Sequence, residues 1–147
     1  MTISHGTTLR TALVIFAFAG NAALADSAAH ADLAQAHFAA IGSGDVAGIT
    51  ETYADSAVFE WVGGPLDGRY ADAAAIEGVW TKFTGAQGML DVAVDDLSVH
   101  ENPAGATVSA NVVFTGKMPI PVRYVLTYRG SQIVSETWQI APMASDY

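Results

Sequence analysis

The sequence predicts an α+β domain in which helices pack against one curved antiparallel sheet. Three observations lead to this prediction. Apolar residues recur at helical spacing after residue 26, with many alanines between them. Residues 53–83 have the pattern of a strand, a sharp turn and an amphipathic helix. From residue 89 onward, runs of β-branched residues alternate with turn residues, which is typical of an antiparallel meander.

The first 25 residues have the layout of a secretory signal peptide. Arg10 precedes an apolar run over residues 12–19, and the small residues of Ala23-Leu24-Ala25 form a cleavage pattern before Asp26. The apolar run is too short to span a bilayer comfortably. An uncleaved membrane anchor and a buried N-terminal helix are the alternatives. We predict a signal peptide at 1–25, one domain at 26–147, a periplasmic or secreted location, and no stable membrane association after cleavage.

Composition excludes several classes of protein. The chain has 147 residues, of which 51% are hydrophobic and 14% charged, enough to build a core. Its net charge is −9 and it has only six Lys or Arg residues, so we expect no nucleic-acid partner. The absence of cysteine excludes disulfides, thiolate metal sites and cysteine nucleophiles. Asp95-Asp96 with His100-Glu101 fits no metal-ligand spacing, and we expect neither a metal nor a cofactor.

The first helix is predicted over residues 27–42, and a glycine-rich turn at residues 42–44 ends it. Asp45 is placed to cap a short second helix. The apolar face of the first helix carries Leu33, Ala36, His37, Ala40 and Ile41, and that of the second carries Val46, Ile49 and Tyr53.

Residues 53–83 combine a strand with an aromatic helix. The strand at 57–62 alternates, which places Ala57, Phe59 and Trp61 on one face. Asp55-Ser56 precedes it as a turn, and a Gly-Pro turn at 63–68 follows. The next helix, capped by Asp72, presents one apolar stripe of Ile76, Val79, Trp80 and Phe83. We interpret these aromatic residues as the wall of a concave pocket.

The second half of the chain reads as four strands. The first covers residues 89–99, and its alternation slips at Asp95-Asp96 as it would across a bulge. The second covers 106–115. Pro119 and Pro121 break or edge the third, which is predicted over 122–128. A hairpin turn at 129–131 leads to a closing strand at 132–140.

Several of these residues together resemble a known family. Ala34-Gln-Ala-His-Phe38 is followed by Gly44-Asp45 and by Tyr53-Ala-Asp, then by Gly68-Arg-Tyr and Ala-Ala-Ile76 with Trp80 and Phe83. This pattern is similar to the nuclear transport factor 2-like superfamily, with its SnoaL-like and ketosteroid-isomerase-like branches, over about residues 30–141. The resemblance implies a cone-shaped curved antiparallel sheet wrapped around three helices, a cystatin-like α+β barrel with a deep apolar pocket. Members include isomerases, cyclases, dehydratases, hydrolases and non-catalytic proteins, so the fold alone does not imply a function.

The isomerase branch suggests which positions face the pocket. The resemblance places Trp61 where the isomerases keep their aspartate base, and His37 where they keep a tyrosine donor. Their protonated aspartic acid falls near Tyr124. Because the base is missing, we expect no steroid isomerisation by that mechanism. The resemblance also implies that Glu136 and Trp138 of the closing strand face inward, in phase with Val134 and Ile140.

Three residues are the candidate catalytic set: His37, Tyr124 and Glu136. An imidazole exchanges protons near neutral pH, a carboxylate among aromatic residues suits an acid or base, and a phenol can orient a ligand oxygen. Each has a structural alternative: a core histidine bonded to a carbonyl, an ion pair of the glutamate with Arg123 or Arg129, and a half-exposed strand tyrosine. The candidate ligand-binding residues are Tyr53, Phe59, Trp61, Trp80, Phe83 and Trp138.

Two functions are consistent with the sequence. One is an exported pocket domain that binds a small hydrophobic molecule, with or without cofactor-independent acid/base chemistry of the isomerase, cyclase or dehydratase type. The other is a non-catalytic module for ligand binding or protein interaction. A homodimer through the open face of the sheet is an additional alternative.

Overall fold

The computed structural model describes the backbone of residues 20–142 and the side chains of residues 27–142. The predicted apolar segment at 12–19 lies outside the described residues, and residues 20–25 form the first turns of a helix, so the signal peptide stays a prediction. No helix in the described range is long and apolar enough to cross a membrane. The elements are α1 (Gly20–Ser43), α2 (Val46–Thr50), β1 (Tyr53–Val62), β2 (Gly68–Tyr70), α3 (Ala73–Gln87), β3 (Asp91–Asn102), β4 (Gly105–Thr115), β5 (Pro119–Arg129) and β6 (Gln132–Ile140).

The predicted α+β class is confirmed, with three helices and one curved sheet in the described chain. The strand order is β2-β1-β6-β5-β4-β3. One detail of the prediction is wrong, because the sheet is mixed and not wholly antiparallel: β1 and β6 pair in parallel, with Phe59 opposite Glu136 and Trp61 opposite Trp138. The four-strand meander leaves an edge of β6 open, and β1 reaches that edge through a long connection and not through a hairpin, so the two strands can run in the same direction.

The helix termini follow the sequence signals. Oδ1 of Asp45 accepts from the amide of Gly48, and Oδ1 of Asp72 accepts from Ala75, at 3.0 and 2.7 Å. Gly44 adopts φ +74° just beyond α1, a conformation that glycine takes without steric cost. The predicted apolar face of α1 needs one correction. Ala36 is exposed, and the buried positions are Ala34, His37, Phe38 and Ile41, which still follow helical spacing.

Several strands are longer than predicted, whereas β6 covers the predicted residues 132–140. β1 already begins at Tyr53, so Asp55-Ser56 lies within the strand, where the pairing with β6 shifts register. β5 begins at Pro119, because prolines are tolerated at the first positions of a strand. The three-residue β2 was not predicted and pairs with β1.

Two further irregularities in strand pairing determine which residues of the sheet face the core. The predicted bulge is confirmed: the β3–β4 pairing shifts between Asp95 and Ser98, and Asp96 has φ +52°. A second shift in the β5–β6 pairing was not predicted, and it places Val134 outside the expected phase. Ile133 is therefore the buried residue before Glu136, and Val134 is half-buried. Beyond this bulge, Glu136 and Trp138 face inward as expected.

The core lies between the sheet and the helices. α1 packs on β3 and β4, and α3 packs on β1 and β2. Phe59 and Trp61 of β1 are buried at 0% and 3% exposure, and Trp80 of α3 at 0%. The faces predicted for β1 and α3 are thus the ones that build the interior beside the candidate site.

Candidate functional site

A histidine and a glutamate meet in the middle of this core. Nε2 of His37, on α1, lies 3.3 Å from Oε1 of Glu136, on β6. Their exposed fractions are 1% and 0%, so bulk solvent does not reach them. Sequence reasoning placed both residues on inward faces, and the structure brings them into direct contact. The structural alternative of an ion pair between Glu136 and an arginine is not observed, since the described contact of Arg129 is with the Ala104 carbonyl.

Tyr53 provides a second hydrogen bond to the carboxyl group, and Trp80 in turn holds Tyr53. The hydroxyl of Tyr53 donates to Oε2 of Glu136. The indole N–H of Trp80 in turn donates to the Tyr53 oxygen at 2.9 Å. Tyr53 comes from β1 and Trp80 from α3, so four separate elements contribute to this network. Thr52 contacts the other side of the His37 ring. We use the term polar cluster for these five residues: Thr52, His37, Glu136, Tyr53 and Trp80.

The hydrogen-bond directions determine where the protons of the polar cluster lie. The hydroxyl of Thr52 is 2.8 Å from the Ile49 carbonyl oxygen, which can only accept, so its single proton is used there. Nδ1 of His37, 3.3 Å from the same hydroxyl, therefore donates to it. Two lone pairs or two protons would repel between His37 and Glu136, so one proton lies between them. The pair is then neutral overall, which lowers the cost of burying it.

The buried tyrosines around Glu136 stay protonated. Burial raises the pKa of Tyr53 well above its ordinary value, and the neighbouring Glu136 carboxyl raises it further. Burial and the same carboxyl also raise the pKa of Tyr124. The Tyr124 hydroxyl has no hydrogen-bond partner among the described residues, although it is close enough to Glu136 for the carboxyl group to raise its pKa. These two phenols can act as hydrogen-bond donors and not as bases.

An aromatic cluster packs beside the polar cluster. It consists of Phe59, Trp61, Trp80, Phe114 and Trp138. The ring of Trp138 stacks on those of Trp61 and Phe114, with ring centroids 4.5 and 5.0 Å apart. The ring of Trp80 stacks on that of Phe59, with centroids 5.1 Å apart. Trp80 also contacts the His37 ring edge-on at 6.3 Å. Phe59, Trp80 and Trp138, which were predicted as ligand-binding residues of the pocket wall, are therefore packed into the interior, and each is 0% exposed.

A half-open groove of about 760 Å³ lies at the opposite side of this aromatic cluster. Two predicted ligand-binding residues, Trp61 and Phe83, form part of it, whereas His37 and Glu136 do not. Tyr53 instead lines a smaller groove of about 380 Å³ beside α2. The large groove is formed by the β1–β2 turn, the end of α3, the β4–β5 turn and the end of β6. Its lining is mostly apolar and includes Leu66, Met118, Pro119, Ile120, Pro121, Ile140 and Pro142.

Sequence reasoning missed Thr52 and most of the groove. Thr52 carries no motif, and its contact with His37 depends on how α2 leads into β1. The signal for the groove was present in the cluster of prolines and Met118 at residues 118–121, an exposed apolar turn. No group of three or more potential metal ligands lies close together in the described part of the chain.

Comparison with known proteins agrees with the fold and the resemblance. The family model described as SnoaL-like domain matches residues 34–136. No curated protein matches the chain in sequence. The matched segment runs from α1 to Glu136, and it includes all members of the polar cluster.

Several solved structures have the same fold at low sequence identity. An NTF2-like protein of unknown function from Pseudomonas putida KT2440 is 21% identical, with a TM-score of 0.71 over 84% of this chain and 91% of that one. A protein provisionally described as a dehydratase of the NTF2-like family, from Streptomyces avermitilis, is 14% identical, with a TM-score of 0.68 over 82% and 99%. A ketosteroid isomerase-like protein from Erwinia carotovora atroseptica SCRI1043 is 17% identical, with a TM-score of 0.65 over 80% and 98%. These likenesses show the fold.

The two members of the buried pair should be energetically coupled, so that replacing both costs less than the sum of replacing each. His37→Phe leaves a buried carboxyl without one partner, and we expect the free energy of unfolding to fall by about 3 kcal/mol. Glu136→Gln keeps an acceptor for Tyr53 and a donor for Nε2, and should cost about 1 kcal/mol. The double variant His37→Phe/Glu136→Met should lose less than the sum of its single changes. Urea unfolding at neutral pH measures all of these, and strict additivity would contradict the described coupling.

Stability should fall steeply above about pH 10. Burial raises the pKa values of Tyr53, Tyr124 and Tyr128 in the folded state, with Glu136 adding to each. The stabilisation is therefore complete below the ordinary tyrosine pKa of about 10, and is lost as the unfolded chain ionises above it, by roughly 1.4 kcal/mol per pH unit for each tyrosine. Urea unfolding between about pH 9 and pH 11 measures the slope. Tyr124→Phe should reduce the slope by one tyrosine's share, and an unchanged slope would count against this explanation.

Proposed function

The chain belongs to the SnoaL-like domain family, and from that premise we propose that it is an exported domain that binds a small hydrophobic molecule in the large groove. The observation that carries this proposal is the groove itself: a concave, mostly apolar surface of about 760 Å³, with Trp61 and Phe83 in its wall. Grooves of this size and character are typical of small-molecule sites.

The position of the groove supports ligand binding more than catalysis. Acid/base chemistry requires a proton-exchanging group within hydrogen-bond or one-water reach of the ligand. His37 and Glu136 are fully buried and line no part of the groove, and Trp80 contacts both Trp61 of the groove and His37 of the polar cluster. A ligand in the groove therefore meets aromatic surface and not the proton-sharing pair.

Exposed methionines provide a matched test of the groove. Met118 lines it and is 75% exposed, whereas Met89 is 81% exposed and does not line it. We expect a thermal-shift screen of residues 26–147 against small hydrophobic compounds to give stabilising ligands, because a bound ligand raises the stability of the folded state. Met118→Gln should weaken their binding by about fivefold through lost apolar contact, whereas Met89→Gln should not.

The proposal fails if a broad library of hydrophobic compounds gives no shift. It also fails if the two methionine substitutions weaken binding equally, because the ligand would then be bound elsewhere or without specificity.

Acid/base chemistry at the polar cluster is the second candidate function. The observation that favours it is the direct contact between His37 and Glu136, with the Tyr53 hydroxyl donating to the same carboxyl group, in a site closed to bulk solvent. A site of this kind could move a proton to or from the carbon next to a carbonyl group, provided that the aromatic cluster opens for a ligand. The test is deuterium uptake from heavy water into carbonyl compounds identified in the screen, followed by NMR. Uptake that Glu136→Gln abolishes would support catalysis, and no uptake with any bound carbonyl compound would exclude this candidate.

Export and assembly are further parts of the proposal. Cleavage after Ala25 would give a periplasmic or secreted protein that begins at Asp26, and the intact mass of the exported protein measures this.

Homodimerisation through the open face of the sheet is the alternative proposal for a protein partner. Val125, which is 39% exposed, lies on that face. A monomer mass in solution at high concentration would rule it out.

A further inference from the structure

The charge around the large groove is opposite to that of the whole chain. The protein carries 15 Asp or Glu residues against six Lys or Arg, a net charge of −9. Both lysines of the sequence, Lys82 and Lys117, line the groove, and none of the lining residues within 27–142 is acidic. The groove is therefore a locally positive site on an acidic protein.

These two lysines are available for a ligand. Lys82 lies on α3 directly before Phe83, and Lys117 lies in the β4–β5 turn directly before Met118, so each charge stands beside an apolar part of the groove. Both side chains are exposed, and neither has a described hydrogen bond or ion pair within residues 27–142. Arg69, by contrast, is paired with Glu60.

The wall of the groove adds a hydrogen-bond donor. Trp61 is only 3% exposed, and its indole N–H is buried without a partner in the described part of the protein. A buried donor of this kind normally finds an acceptor, from the protein, from water or from a ligand. Three hydrogen-bond donors in the lining residues thus have no described partner: the two exposed ammonium groups, which can bind an anion directly, and the buried N–H of Trp61.

We propose that the ligand of the groove is a hydrophobic carboxylate, an amphiphilic acid whose apolar body lies against Trp61 and Phe83 and whose carboxylate is held by Lys82 and Lys117. This inference rests on the proposed function, and it adds the chemical class of the ligand. The lysines attract the anion locally although the protein as a whole repels it, because a concave surface lined by one sign of charge focuses the field. Part of the affinity is therefore screened by salt.

The test compares two ligands of equal shape and different charge. Isothermal titration calorimetry measures the affinity of residues 26–147 for 2-naphthoate and for its neutral analogue 2-naphthamide. We expect tighter binding of the carboxylate at low salt, and a preference that shrinks as ionic strength rises. Lys82→Gln/Lys117→Gln should weaken naphthoate binding by about tenfold, the scale of two exposed ion pairs, and leave naphthamide binding unchanged.

Arg123→Gln/Arg129→Gln is the matched control, because it removes the same two positive charges from exposed positions on β5 that do not line the groove. It should leave both affinities unchanged. All four substituted residues, Lys82, Lys117, Arg123 and Arg129, are exposed, so none of the changes removes a core contact, and the unfolding midpoint of each variant checks this.

The outcomes separate the two proposals. If both naphthalene compounds bind equally, or if the lysine variant binds naphthoate as the native protein does, the carboxylate inference is overturned while the hydrophobic groove stands. If Arg123→Gln/Arg129→Gln weakens naphthoate binding as much as the double lysine variant does, the effect is one of total charge and the inference is again overturned. If neither compound binds and the thermal-shift screen is also empty, the proposed function and the inference fall together.

Discussion

A carboxyl group with no exposed surface must find its hydrogen bonds inside the protein, and this requirement governs the interior of the domain. Glu136 meets it with His37 from α1 and Tyr53 from β1, and Tyr53 is in turn held by Trp80 from α3. A buried carboxyl without these partners would cost several kcal/mol. The positions of α1, α3, β1 and β6 are thus tied to one another by polar contacts that tolerate little displacement, in a core that is otherwise aromatic and non-directional.

The aromatic cluster divides the domain into two regions of different chemistry. On one side lies the polar cluster, which has protons to exchange and no access to solvent. On the other side lies a solvent-accessible groove whose described lining includes no histidine or carboxylate, the groups that general acid/base catalysis uses near neutral pH. Trp80 and Trp61 contact each other at 5.7 Å across this division. Access to the polar cluster therefore depends on the packing of a few large rings, and not on the polar residues themselves.

Local features of the fold could be predicted from the sequence because local chemistry determines them. Asp45 and Asp72 cap helices by contacts within three residues, and the alternation of Phe59 and Trp61 follows from strand geometry alone. The parallel pairing of β1 with β6 and the bulge at Val134 could not be predicted, since both depend on strands that meet only in the folded chain. The same holds for the sites. Their positions on the inward faces of a helix and a strand identified His37 and Glu136, but their contact joins positions 99 residues apart. The groove is likewise assembled from two turns and from the ends of a helix and a strand that are distant in sequence.

The pairing of the first strand with the last also determines when this protein can fold. β1 has the short β2 on one side, and its other neighbour is β6, the last of the described strands in chain order. Contacts between such distant segments carry a large loop-closure entropy and form late and slowly. A partly emerged chain has α1 and β1 in place but lacks Glu136, the carboxyl that His37 and Tyr53 contact, and it cannot close its core. The domain therefore stays uncommitted until β6 is available.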